Sequence, residues 1–181
     1  MGLLDIPEQP LLLEALRHGP PSERSQDVSA VLDLMVHDID LALALAAADP
    51  VTAEGEGTLG PGGVWDVARA EVSFEDGFTA IFDVSRMAPE RRRHMRVVYP
   101  SGEVEIDFLT REFRNTTPFA LNRDFADTPA ATDPLGASVE GFLKAVRGEA
   151  PRPIVTAEEA IRALDLALAV EQALEDPAEG R

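Results

Sequence analysis

The segment Asp33-Leu-Met-Val-His37-Asp-Ile-Asp40 sets two carboxylates and an imidazole at spacings that suit proton chemistry. On a helix advancing about 100° per residue, positions 33, 37 and 40 fall within roughly 60° of one another. Leu34, Val36, Leu41 and Leu43 flank them, so the pattern reads as a narrow polar seam on an otherwise buried helix, the floor of a cleft. An imidazole in such a seam can accept the proton of an alcohol while a neighbouring carboxylate holds and tunes it. The plainer alternative is an i,i+4 Asp–His pair on a partly exposed helix, contributing about 0.3–0.5 kcal/mol. Both readings stand on pattern alone. The same three groups are ordinary metal ligands, but no second segment rich in histidine or carboxylates clearly completes a site, and we assign no metal.

Other groups invite a chemical reading. Gly55-Glu-Gly57-Thr-Leu-Gly60 matches a dinucleotide fingerprint letter for letter, yet that fingerprint needs a strand turning directly into a helix. Pro61-Gly-Gly-Val-Trp65 follows instead, and we read a glycine-rich hairpin loop with no cofactor bound by it. Arg86, Arg91-Arg-Arg93 and Arg96 are the one basic concentration in an acidic chain. They suit either a phosphate or carboxylate of a substrate or, more plainly, a solvated strand edge that resists edge-to-edge pairing. Arg114-Asn115-Thr-Thr117 can line a polar pocket at a strand end; as a glycosylation acceptor it carries no weight without a secretory signal.

The elements that must position these groups are legible in outline. Ser29 offers an N-cap and Val31–Ala48 supplies helix formers until Asp49-Pro50 ends the run. Residues 51–113 turn to β-branched and aromatic types, in segments beginning at Val51, Val67, Phe78, Arg93 and Val104, with Glu75-Asp-Gly77 and Pro100-Ser-Gly102 as hairpin turns. This predicts an antiparallel meander of four or five strands. Helical spacing returns over Pro134–Arg147, with Leu135, Val139, Phe142, Leu143 and Val146 on one face, and over Thr156–Glu175. The fold class is α+β: an open, mainly antiparallel sheet with helices packed on one face. With Val, Ile and Phe expected to point both ways, the other face needs a cover, most simply a second subunit.

Length and composition bound the answer. The chain of 181 residues is the size of one domain; we take 1–181 as a single unit, with 1–26 a loosely ordered crossover region and 176–181 a frayed tail. The 16 basic and 33 acidic residues give a formal charge of −17, which repels nucleic acid and anionic bilayers. The chain has no cysteine, which excludes disulfides and thiolate metal sites. Its longest apolar stretch, 31–48, is broken by Asp33, His37, Asp38 and Asp40 and does not read as a bilayer span; with no secretory pattern at Met1-Gly-Leu-Leu, the expectation is a cytoplasmic protein that contacts neither membrane nor nucleic acid.

Together these residues resemble a known family. Arg17-His-Gly-Pro20 followed by Asp27-Val-Ser-Ala-Val-Leu-Asp-Leu-Met-Val-His-Asp-Ile-Asp40 is similar to the Gfo/Idh/MocA oxidoreductases, NAD(P)-dependent enzymes acting mostly on sugars and cyclitols. The likeness runs on through Gly102-Glu-Val-Glu-Ile-Asp107, Asp133-Pro-Leu and Pro153-Ile-Val-Thr-Ala-Glu-Glu159, and best suits the nucleotide-sugar 3-dehydrogenase branch. It implies a C-terminal domain whose open sheet face packs on another subunit, a dimer, and a sugar-type ligand at the junction with a Rossmann domain. His37 and Asp33 align with the catalytic His and Asp; Asp40 from the helical stripe, and Arg114 and Asn115 from the strand-end pocket, are the candidate substrate contacts read from the residues themselves. It also implies that Leu11–His18 is a strand, although propensity alone makes Leu11–Leu16 a short helix. The Rossmann half and the family's Glu-Lys-Pro segment are not found; the single lysine, Lys144, lies in a C-terminal helix. NAD(P) and the catalytic lysine are then expected from elsewhere, with the chain inactive alone. The competing expectation is a non-enzymatic binding or dimerisation module derived from such a domain.

Overall fold

A computed structural model describes residues 2–22 and 26–175; the expected tail 176–181 lies outside them. Among the described residues seven strands form one sheet in the order β2-β3-β4-β1-β5-β6-β7. They are β1 (Leu12–His18), β2 (Pro50–Leu59), β3 (Trp65–Phe74), β4 (Thr79–Ser85), β5 (Arg92–Tyr99), β6 (Gly102–Asp107) and β7 (Glu112–Asn115). Two antiparallel meanders, β2-β3-β4 and β5-β6-β7, flank β1, which runs parallel to β4 and antiparallel to β5.

The strand at Leu12–His18 is what family likeness implied and helix propensity did not. Alternation explains why it wins: Leu13 and Ala15 point to one face and are buried, while Leu12, Glu14 and Leu16 point to the other. With β-branched neighbours on both sides, two ladders of backbone hydrogen bonds and a buried Leu13 outweigh a propensity difference of a few tenths of a kcal/mol per residue.

Helices cover one face. A wide i→i+5 turn at Val31–Met35 leads into α1 (Val36–Leu45), and α4 (Ala157–Glu175) lies against α1 and β2. The Ser29 cap forms as expected: its Oγ accepts from Leu32 N at 3.1 Å. Val31, Met35 and Ile39 from this segment meet Ala70, Phe82, Val84 and Val97 of the sheet in one core.

Four expectations need correction. The strand phenylalanines Phe74, Phe82 and Phe113 all lie on the helix-covered face, so they do not point both ways; the open face carries Glu14, Arg69, Asp83, Arg96 and Glu105 among Leu16, Ile81 and Val98. Strand β5 is no edge, since β1 and β6 pair with it on either side. Gly55 and Gly57 sit inside β2, and only Gly60–Val64 form the hairpin loop. Last, α3 (Pro134–Val146) forms where spacing places it but buries none of its side chains: Leu135 stays 76% and Phe142 57% exposed. It follows the short α2 (Pro129–Thr132) and packs mainly against it.

Candidate active site

Helix α1 crosses the C-terminal end of β1, and a buried ion pair pins it there. Arg17 donates from Nε and Nη2 to both oxygens of Asp38, at 2.8 and 2.7 Å, with side-chain exposures of only 15% and 5%. A bidentate pair in that degree of burial fixes both side chains and the rotation of α1. Arg17 entered the sequence reading only as the start of the Arg17-His-Gly-Pro20 run, and its pairing with Asp38 was not read. The signal was there in the alternation Leu13, Ala15, Arg17, which aims the guanidinium at the helix side of the sheet; a helical reading of Leu11–Leu16 hides it.

The seam divides differently from a pure α-helical count. Asp33 lies in the i→i+5 turn, which advances fewer degrees per residue than an α-helix, so the 100° spacing to His37 does not hold. Asp33 faces Arg86, whose Nη1 stands 3.8 Å from its Oδ2, while the same guanidinium donates to Asp66 and to Val28 O. His37 is exposed on α1 and makes no hydrogen bond or ion pair with any described residue. Asp40 is half-buried; burial and the Glu159 carboxylate push its acid strength down, raising its pKa, and His37 opposes them. Glu159 itself is held below the usual range, first by a hydrogen bond from Thr156 N and then by Arg152. His37 therefore meets water with a carboxyl group in electrostatic reach, an arrangement able to accept and hold a hydroxyl proton.

Arg114 and Asn115 are not brought to this seam. Their strand β7 lies three strands beyond β1, roughly 14 Å at about 4.8 Å per strand. Arg114 is engaged on the open face by Glu103 and Glu105. The Asn115 amide donates to Phe119 O at 2.7 Å and accepts from Thr117 N and Oγ1, closing its own loop. These residues do line a groove of about 920 Å³ beside the sheet edge, as a polar strand-end pocket would.

The glycine motif does not fit a nicotinamide dinucleotide. A strand follows it, not a helix. A Cβ on Gly55 would stand 2.8 Å from Leu174 Cδ2, and one on Gly57 2.9 Å from Trp65 Cε3; the glycines admit α4 and a cross-strand indole. No group of three His, Asp or Glu side chains among the described residues is placed to hold a metal ion.

An open mixed sheet with helices on one face is the fold the sequence likeness called for, and comparison with known proteins agrees on that fold. Residues 14–105 match the model of the GFO/IDH/MocA C-terminal domain. This chain belongs to that family. Its GFO/IDH/MocA relatives include the UDP-N-acetylglucosamine 3-dehydrogenase of Acidithiobacillus ferrooxidans, 34% identical over 149 residues, which are 78% of this chain and 48% of that protein. A crystal form of that enzyme superposes with a TM-score of 0.81 over 95% of this chain and 56% of its own, at 29% identity. The WlbA dehydrogenase of Bordetella pertussis, in complex with NADH and UDP-GlcNAcA, shares the fold at 12% identity, with a TM-score of 0.77 over 93% of this chain and 55% of its own. The chain spans about half the length of the relatives it matches. Among the described residues no helix is long and apolar enough to cross a membrane.

Proposed function

We propose that this chain is the substrate-binding and proton-transferring half of an NAD(P)-dependent oxidoreductase acting on a sugar or nucleotide-sugar hydroxyl. His37 carries the reading: its imidazole is solvent-facing, has no hydrogen-bonded or ion-paired partner among the described residues, and stands on the helix that Arg17 and Asp38 lock to the sheet. In this scheme His37 takes the proton of the reacting hydroxyl, Asp40 supports the resulting imidazolium, and Asp33 holds the α1 entrance through Arg86. The dinucleotide, which would accept the hydride when bound, is held by a nucleotide-binding half that also brings the lysine; the residues described here do not build that site. Likeness to a UDP-N-acetylglucosamine 3-dehydrogenase supports the substrate class.

The test is a chimera joining the nucleotide-binding half of the Acidithiobacillus enzyme to this chain. NADH formation with UDP-N-acetylglucosamine is the expected outcome, with His37→Ala lowering kcat by about 10²–10⁴-fold. A chimera that binds NADH yet never turns over, or an active one indifferent to His37→Ala, sinks the reading.

One observation favours the alternative of a non-enzymatic ligand-binding or dimerisation module: Asp33 is turned to Arg86 and does not orient His37. That alternative expects ligand binding by the chain to be unchanged in His37→Ala, with the chimera inert.

A further inference from the structure

Arginine placement in this acidic chain is uneven. Arg86, Arg96, Arg114, Arg147, Arg152 and Arg162 each find a carboxylate. Arg69, Arg91, Arg92, Arg93, Arg111 and Arg123 have no hydrogen-bonded or ion-paired side-chain partner among the described residues, and of these only Arg91, Arg92 and Arg93 are consecutive. With 33 acidic residues available, a run of three such guanidiniums is not explained by surface solubility, and the strand-edge reading fails because β5 is interior.

Register makes the exception sharper. Arg17 and Arg93 are direct partners across the antiparallel β1–β5 pair, so both aim at the helix side of the sheet. Like charges directly opposite one another destabilise a sheet, and Asp38 neutralises only Arg17. Burial, then Arg17, then Arg91, all lower the Arg93 pKa, with Asp38 alone opposing, while the guanidinium stays charged. Arg91 lies over Gly19, its Cγ 4.0 Å from where a Cβ on that glycine would sit. Three cations and one carboxylate leave this cluster with two positive charges. Arg17 spends two of its N–H donors on Asp38, and Arg93 keeps all five.

We infer that Arg17, Arg91 and Arg93 form an anion site that holds the diphosphate of the substrate, beside the helix that carries His37. Two uncompensated charges match a doubly charged diphosphate better than a carboxylate or an uncharged sugar, and planar guanidiniums suit phosphate oxygens. Asp38 follows His37 directly in the chain and grips Arg17, so an anion bound here lies next to the turn of α1 that presents the imidazole. The anion site itself rests on the arginines; its being part of a sugar substrate rests on the oxidoreductase reading above.

The test uses the full chain with pyrophosphate, UDP, acetate and N-acetylglucosamine as probes, followed by calorimetry and thermal shift. Pyrophosphate and UDP should bind and raise the melting temperature, and added salt should weaken them. Arg93→Gln should weaken both roughly tenfold, the loss of one charge-assisted contact, while raising the melting temperature of the unliganded protein. Arg93→Lys should recover part of the affinity, and Arg123→Gln, in the short helical turn Arg123–Asp127 that follows β7, should change nothing. Unchanged binding in Arg93→Gln and Arg91→Gln, no binding of either phosphate probe at millimolar concentration, or equal affinity for acetate would overturn the inference. A chimera without turnover whose pyrophosphate binding still depends on Arg93 would retire the oxidoreductase reading and leave the anion site in place.

Discussion

At the scale of single residues, burial without a partner is the theme. Tyr99, the only tyrosine in the chain, is 3% exposed and its hydroxyl has no hydrogen-bond partner among the described residues. Burial, aided by the Glu8 carboxylate, pushes its phenol up to about 12 from 10.0. An acid whose folded pKa lies above its unfolded value stabilises the fold fully below the lower value and loses that contribution as pH rises through the higher. Ultraviolet absorbance should therefore show phenolate forming near pH 12 in the native protein and near pH 10 in denaturant, with stability falling between the two. Tyr99→Phe should be neutral or stabilising by up to about 1 kcal/mol in urea melts, since it removes a hydroxyl left unsatisfied; a marked loss of stability would mean the hydroxyl has a partner after all. The residue scale is also where sequence reading is weakest. Asp33, His37 and Asp40 were visible as a stripe, but Arg17 and Asp38 required knowing that one strand, far from them in the chain, would lie under that helix.

Among the elements, β1 decides the integrity of the sheet. It supplies the ladder on both of its sides, and no other strand joins β4 to β5. Leu13 at its centre is fully buried, so Leu13→Ala should cost about 3 kcal/mol in denaturant unfolding; a cost below about 1 kcal/mol would show that the strand is dispensable. Most other elements were legible because local signals agreed with the final fold: the Ser29 cap, the alternation through β3 and β4, and the Glu75-Asp-Gly77 turn, where Asp76 accepts from Phe78 N. Those that were not legible depend on distant pairing. The strand β7 is four residues long and polar, and forms because β6 offers it an edge. The interior place of β5 follows from β1 inserting beside it, which no local pattern encodes.

The whole molecule has two unmatched surfaces of different character. The open sheet face is ruled by charge: Arg96 bridges Glu14 and Glu103, Arg114 bridges Glu103 and Glu105, and His18 meets Asp83 at 2.8 Å. Leu16, Ile81 and Val98 lie half-buried between these pairs, and a groove of about 360 Å³ runs over Leu16 and Ile81. On α3, by contrast, apolar side chains stand in the open. We propose that the sheet face makes the dimer and that α3 does not. Sedimentation should show a dimer that Ile81→Arg dissociates and Phe142→Arg leaves intact; the reverse pattern would exchange the two roles, and a monomeric wild type would remove both.

The central place of β1 also bears on the order of events during synthesis. It leaves the ribosome before β2 to β7, yet neither of its partners exists until Ser85 and then Tyr99 have been made. Each flanking meander can close on itself from local contacts as it emerges, whereas β1 must wait, unpaired and carrying Leu11-Leu-Leu13, for a slot to open between them. Long-range pairing of that kind is slow compared with hairpin closure. The slowest step in reaching the native state is then the insertion of the first strand, and during that interval the nascent chain is most exposed to pairing with the wrong edge.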